Sequence, residues 1–250
     1  MSTVICKNCD HHFKGNFCTY CGQSAKVEAI GVKYFLHDIP HSVFHIDKGF
    51  GYTFKELLLR PGKTLREYLA GKRVKHFRPF AYVVLMATLY ILLSGVIRKA
   101  AVFFGTQMGM TVTYGKLGFF WQYLSVFFFI MIPFASFATW LALRKEKYNY
   151  WEHFLVNTYL TAQMSLLLLL IEIYRAAKIL ILKDGGREFS YVWFITGFLF
   201  YIVFVFKKML NPKAHRLAYT AKFFLLAFSL ALVYLTGMSL AGMMTPWWGG

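Results

Sequence analysis

The sequence predicts an all-α polytopic membrane protein. Three observations carry that prediction: an apolar, aromatic-rich composition, long apolar runs from Pro79 onward, and four cysteines confined to the first 21 residues. Of the 250 residues, 58% are hydrophobic and 20% aromatic, against about 45–50% apolar in a soluble domain. A soluble core of this length cannot hide so much apolar surface, whereas lipid solvates it. Three regions follow: a cysteine-rich head over 1–25, a basic amphipathic segment over 26–78, and a helical bundle over 79–250.

Five apolar runs have the length of a transmembrane helix, about 17–25 residues. They are Phe80 to Ile97, Phe119 to Leu143 with Pro133 inside, Phe154 to Tyr174, Phe189 to Phe206, and Phe223 to Leu240. No β-barrel alternation is present, and helices satisfy their own backbone groups in lipid. No internal repeat of the transporter kind is visible. Trp121, Trp140, Trp151, Trp193, Trp247 and Trp248 fall near the span ends, the depth that indoles favour.

Charge sets the expected orientation. The chain carries a formal net charge of +17, and 21 of its 28 Lys and Arg lie in residues 1–78, 144–153 and 207–222. Cations gather on the cytoplasmic side, which predicts an inside N-terminus and, after five spans, an outside C-terminus in a bacterial inner membrane. Anionic lipid headgroups and other membrane proteins are the expected partners. Nucleic acid is the less favoured reading of the same charge.

The strongest motif is Cys6-Lys-Asn-Cys9 followed, after eight residues, by Cys18-Thr-Tyr-Cys21-Gly22. Two C-x-x-C pairs supply four soft ligands for a tetrahedral Zn2+, and a filled coordination sphere leaves no position for a reacting water. A structural zinc-ribbon knuckle is therefore expected. The N-terminus is polar, without the apolar core of a secretory signal. These cysteines are therefore expected to stay in a reducing compartment, where metal ligation outranks disulfide formation.

Between head and bundle, His37, His41 and His45 stand four residues apart, with Asp38 and Asp47 beside them. A helix begun at Pro40 behind Asp38 would put His41 and His45 on one face. Thr53 to Arg73 then reads as two short amphipathic helices broken at Pro61-Gly62, the first capped by Thr53 with Glu56 completing a capping box. Their cations surround an apolar face, the pattern of a helix lying on an anionic membrane. Arg66, Lys72 and Arg73 are the expected lipid- or partner-binding residues, with His41, His45 and Asp47 beside them. Within the bundle, Glu152, His153 and Asn157 form a possible polar site, and Glu172 lies near the far end of its span. No nucleophile elbow or phosphate-cradling loop is present.

Taken together, the Cys6 to Gln23 knuckle, His45-Ile-Asp47-Lys48-Gly49-Phe50, Arg60-Pro61-Gly62, Tyr68-Leu-Ala-Gly71-Lys72-Arg73, Pro79 and Tyr150-Trp-Glu152-His153 resemble an uncharacterised bacterial membrane family, domain of unknown function 3667. The likeness spans nearly the whole chain and is densest over residues 1–92. Relatives often carry further histidines after the Glu-His pair, where this chain has Asn157-Thr-Tyr-Leu, and that difference counts against a metal site in the third span. The resemblance implies the architecture and assigns no activity. The expected function is a non-enzymatic, partner- or lipid-engaging component of a membrane assembly. The alternatives are a small transporter or lipid-handling protein, and a membrane-embedded metal-dependent enzyme using His41, His45, Asp47, Glu152 and His153.

Overall fold

The structure, a computed structural model, describes residues 3–36, 49–110, 112, 124–183, 191–210, 226–232 and 236. Its regular elements are a small hairpin and a set of helices. The hairpin pairs β1 (Val4–Ile5) antiparallel with β2 (His12–Phe13), Val4 opposite Phe13. Two short helices follow, α1 (Phe50–Leu59) and α2 (Pro61–Leu69), and then four longer ones: α3 (Pro79–Gln107), α4 (Leu124–Ala142), α5 (Tyr150–Leu182) and α6 (Tyr191–Leu210). Residues 226–232 are also helical. The expected helix at Pro40 and the residues His37, Asp38, His41, His45 and Asp47 lie outside the described residues.

The break at Pro61 has the expected origin. Proline occupies the first position of α2, where a missing N–H costs nothing. The start of α1 differs from expectation. It begins at Phe50 behind Gly49, with no side-chain cap, so Thr53 sits inside the helix and the capping box does not form. The Thr53 hydroxyl instead accepts a hydrogen bond from the Phe77 N–H at 2.6 Å, and Glu56 pairs with Arg60 one turn on. A tertiary partner thus claims Thr53, while Glu56 takes a local partner one turn later in place of the helix start.

In the bundle, α5 packs against α3 and α4, and its buried set includes His153, Asn157, Thr158, Thr161, Gln163, Ser165 and Glu172. Meanwhile Leu92, Leu93, Val96, Phe103 and Phe104 of α3, and Ile130, Phe134 and Phe137 of α4, stand exposed. Polar side chains thus lie buried among apolar ones where the helices pack, while large apolar side chains face outward. Among the described residues, two helices, Pro79–Gln107 and Leu124–Ala142, are long and apolar enough to cross a membrane. The first runs ten residues beyond the expected end at Ile97, because Arg98 finds a partner inside the bundle. The third expected span lies within α5, which is much longer and carries Glu172, Arg175 and Lys178 in its second half.

Candidate metal centre

The head is built from two copies of one backbone turn. In the first, the Cys6 N–H donates to the His11 carbonyl at 3.0 Å and the Asp10 N–H to the Cys6 carbonyl at 2.9 Å. In the second, the Cys18 N–H donates to the Gln23 carbonyl and the Gly22 N–H to the Cys18 carbonyl, both at 2.8 Å. Asp10 and Gly22 occupy the same place in the two turns, and both have positive φ, 58° and 76°. Asp and Gly tolerate that left-handed conformation better than most residues. Each turn curls its C-x-x-C pair so that both sulfurs point inward.

The result is a compact sulfur cluster. Sγ of Cys6 lies 3.5 Å from that of Cys21, and Sγ of Cys9 lies 3.7 Å from Cys18 and 3.5 Å from Cys21. All four ligand atoms lie within 4.8 Å of one another. A disulfide would need about 2.0 Å, and all four cysteines are free thiols. A tetrahedral metal–thiolate site with bonds of about 2.3 Å has edges of about 3.8 Å, so the four positions fit such a metal. The Asn8 N–H points at the Cys6 sulfur at 3.4 Å, the kind of outer contact that orients a ligand. Among the described residues this is the one group of His, Cys, Asp and Glu side chains able to hold a metal ion. His11 and His12 are exposed and outside it.

The head is fixed to the bundle by the residues that follow α2. Gln23 is buried, and its side-chain amide donates to the Gly71 carbonyl at 2.8 Å while accepting from the Arg73 N–H at 3.2 Å. Arg73 sends its guanidinium back toward the chain after the knuckle. Its Nη1 donates to the Glu28 carbonyl at 2.9 Å, and its charge lies over the rings of Tyr34 and Tyr68, 5.0 and 5.3 Å from their centroids. Those two tyrosines share a hydroxyl hydrogen bond of 2.7 Å.

Close backbone approaches complete the junction. A side chain at Gly49 would meet the backbone of residues 75–77 at 2.7–3.0 Å, and one at Gly62 would meet Lys208 and Met209 at 2.6–2.9 Å. Gly71, at φ +103°, lies against Lys7 and Val27. Phe77 is held at both backbone groups, its N–H by Thr53 and its carbonyl by the Tyr159 hydroxyl at 2.6 Å. The turn before α3 is thus clamped by both α1 and α5.

These are the glycines of the motifs that suggested a family. Residues 47–91 match the family model described as Protein of unknown function (DUF3667). The match bears out the resemblance over that stretch, and it contains Gly49, Pro61-Gly62 and Gly71-Lys72-Arg73. Within the matched segment the motif glycines mark where one piece of backbone meets another. No curated protein and no solved structure matches the chain.

The remaining expected site residues are dispersed. Arg66 donates to the Lys208 carbonyl at 3.0 Å, at the C-terminal end of α6, where helix carbonyls lack partners. Lys72 is half-buried beside Arg73. Glu152 forms a capping box with Asn149, accepting from the Asn149 N–H at 2.7 Å while the Glu152 N–H donates to the Asn149 side chain at 2.9 Å. His153 and Asn157 do come together, both bonded to the Thr139 hydroxyl of α4, at 3.2 and 3.0 Å. The His153 ring stacks on Phe206, and its Nε2 has no hydrogen-bond partner among the described residues.

One polar contact was not anticipated. Arg98 of α3 donates to Glu172 of α5 at 2.9 Å and to the Tyr90 hydroxyl at 3.3 Å, and Arg175 approaches the same carboxylate at 3.7 Å. Arg98 lies one residue beyond the expected end of the first span at Ile97. The signal for its inward position was available in register: Tyr90, Ser94 and Arg98 recur every four residues and share a helix face, and all three are buried.

Proposed function

We propose that this is a multi-pass protein of the bacterial inner membrane that crosses the bilayer with five helices and presents a structural zinc head on the cytoplasmic face. In this reading it is a non-enzymatic component of a membrane assembly, engaging anionic lipid or a partner protein through the head and the basic segment beneath it. The attachment of the sulfur cluster to the basic segment through Gln23 supports this most directly. A head locked in place transmits contacts to the helices, whereas a tethered one would not. Zinc suits four thiolates in a closed tetrahedral set, and it would supply folding energy to a head whose buried cluster is small. The residues that would hold it are Cys6, Cys9, Cys18 and Cys21.

The arrangement gives the segment over 49–78 a scaffolding duty as well as a charged surface. Arg66 and Arg73 hold elements together, while Lys55, Lys63 and Lys75 of this segment, with Lys26 and Lys33 before it, are exposed and add to the attraction for anionic lipid. A second reading, a small solute- or lipid-handling protein, draws its support from the buried Arg98–Glu172 pair, since ionisable groups inside a membrane bundle mark pathways. Purification in mild detergent tests both. A stoichiometric protein partner together with one zinc per chain supports the first reading. Iron in place of zinc, or no metal, removes the head as proposed, and a tightly retained small solute favours the second.

A further inference from the structure

Between the knuckle and the turn that precedes α3 lies an open cleft of about 530 Å³. Its roof is the second cysteine turn, from Gly22 to Ser24, and its floor is formed by Tyr68, Val74 and His76. Among the described residues, the cations Lys26, Arg73 and Arg78 and the carboxylate Glu28 line it. Arg73 is fixed by its bonds to Glu28 and by the two tyrosine rings, so its charge is set in place before any ligand arrives. The volume falls in the range of small-molecule sites, about 300–1,000 Å³. Arg78 immediately precedes α3, one of the two helices apolar enough to cross a membrane. The cleft therefore opens at the end of the bundle, at the depth where lipid headgroups would lie.

We infer that this cleft binds a phosphate-bearing anion. Two guanidinium groups and an ammonium group lining one cleft suit a tetrahedral oxyanion, which accepts several charge-assisted hydrogen bonds at once. The inference rests on the proposed reading of a head held against a basic surface, and it names the chemistry that surface recognises. A lipid headgroup and a soluble phosphate ester present the same group.

The test uses full-length protein in a neutral detergent, with zinc counted on the same sample. Thermal stabilisation is followed on adding glycerol phosphate, dihexanoyl-phosphatidylglycerol or dihexanoyl-phosphatidylcholine. The expected result is saturable stabilisation by the anionic probes and none by the zwitterionic lipid. A response to both anionic probes assigns the site to the phosphate group itself, a response to phosphatidylglycerol alone to a lipid, and a response to glycerol phosphate alone to a soluble ester. Lys26→Glu, at an exposed position, should weaken binding by roughly tenfold, the size of one charge reversal beside a phosphate. Glu28→Gln should tighten it about threefold by removing the opposing charge, and it serves where Lys26→Glu fails to fold. Zinc-loaded protein blind to both anionic probes overturns the cleft and leaves the docked head standing. Zinc-free protein that still binds supports the cleft and overturns the metal reading, and zinc-free protein that does not bind removes both. Binding unchanged in both variants also overturns the cleft.

Discussion

The Gln23 side chain grips the turn before Arg73 with both ends of its amide, donating to the Gly71 carbonyl and accepting from the Arg73 N–H. One residue of the metal head thus satisfies two backbone groups of the membrane-proximal segment. Gln23→Ala leaves both groups without that partner and should weaken docking by about 1–3 kcal/mol. Hydrogen exchange should then rise over residues 3–36 while protection of α3 and α5 stays unchanged. Equal exchange in the two proteins would mean that the head is held elsewhere.

Metal removal should act on the same region. Chelation, or Cys9→Ala, should unfold the knuckle because the buried cluster behind it is only Cys6, Phe13 and Cys18 with a few half-buried neighbours. The helices should persist, since they pack on one another rather than on the head. Circular dichroism should therefore lose little helical signal while proteolysis within residues 3–25 accelerates. Undiminished resistance to protease after complete metal loss would show that the hairpin folds alone.

Gly62 should be intolerant of substitution. A methyl group there meets the Lys208 Cβ and the backbone at 2.6–2.9 Å, so Gly62→Ala must push α2 away from the end of α6, at about 1–3 kcal/mol. Gly51→Ala is the control, because nothing lies within 4 Å of its added methyl and the change favours a helix by roughly 0.5–1 kcal/mol. Opposite shifts in thermal midpoint are expected.

The Arg98–Glu172 pair is nearly dry, with side chains 10% and 4% exposed. Glu172→Leu strands the guanidinium and should cost about 3–5 kcal/mol, whereas the double change Arg98→Met with Glu172→Leu should recover most of that loss. Midpoints in detergent for the two singles and the double give the coupling. Additive losses would show that the two side chains do not act as a pair.

His76 supplies a pH dependence. It is packed edge-on between Tyr52 and Tyr68, and burial lowers its pKa below 6.5, with Glu67 and Glu56 partly opposing. The unfolded chain then binds the proton more readily than the folded one. The stability contribution is complete above about pH 6.5 and is lost as pH falls through that value toward the folded pKa, at a slope of up to about 1.4 kcal/mol per unit. Denaturant titrations between pH 5 and 7.5 should show this slope, and His76→Phe should remove it.

What the sequence determined by itself was whatever depends on local spacing. The cysteine pairs fixed the cluster, because a two-residue gap and a residue tolerant of positive φ, Asp10 or Gly22, are enough to turn two sulfurs toward one point. Pro61 fixed the break between α1 and α2, and apolar run length located the helices from Pro79 onward. Tertiary structure decided what the polar residues do. Thr53 had a valid local reading as a cap, yet the Phe77 N–H, from the turn before α3, claimed it. Arg66 and Arg73 read as free surface charge, yet one caps the end of α6 and the other lies against two tyrosines. Arg98 lies past the expected end of the first span and meets a carboxylate 74 residues away. A side chain's hydrogen bonds and charge partners are chosen by whichever groups folding brings within about 3 Å, and no spacing along one helix encodes which of those groups belongs to another.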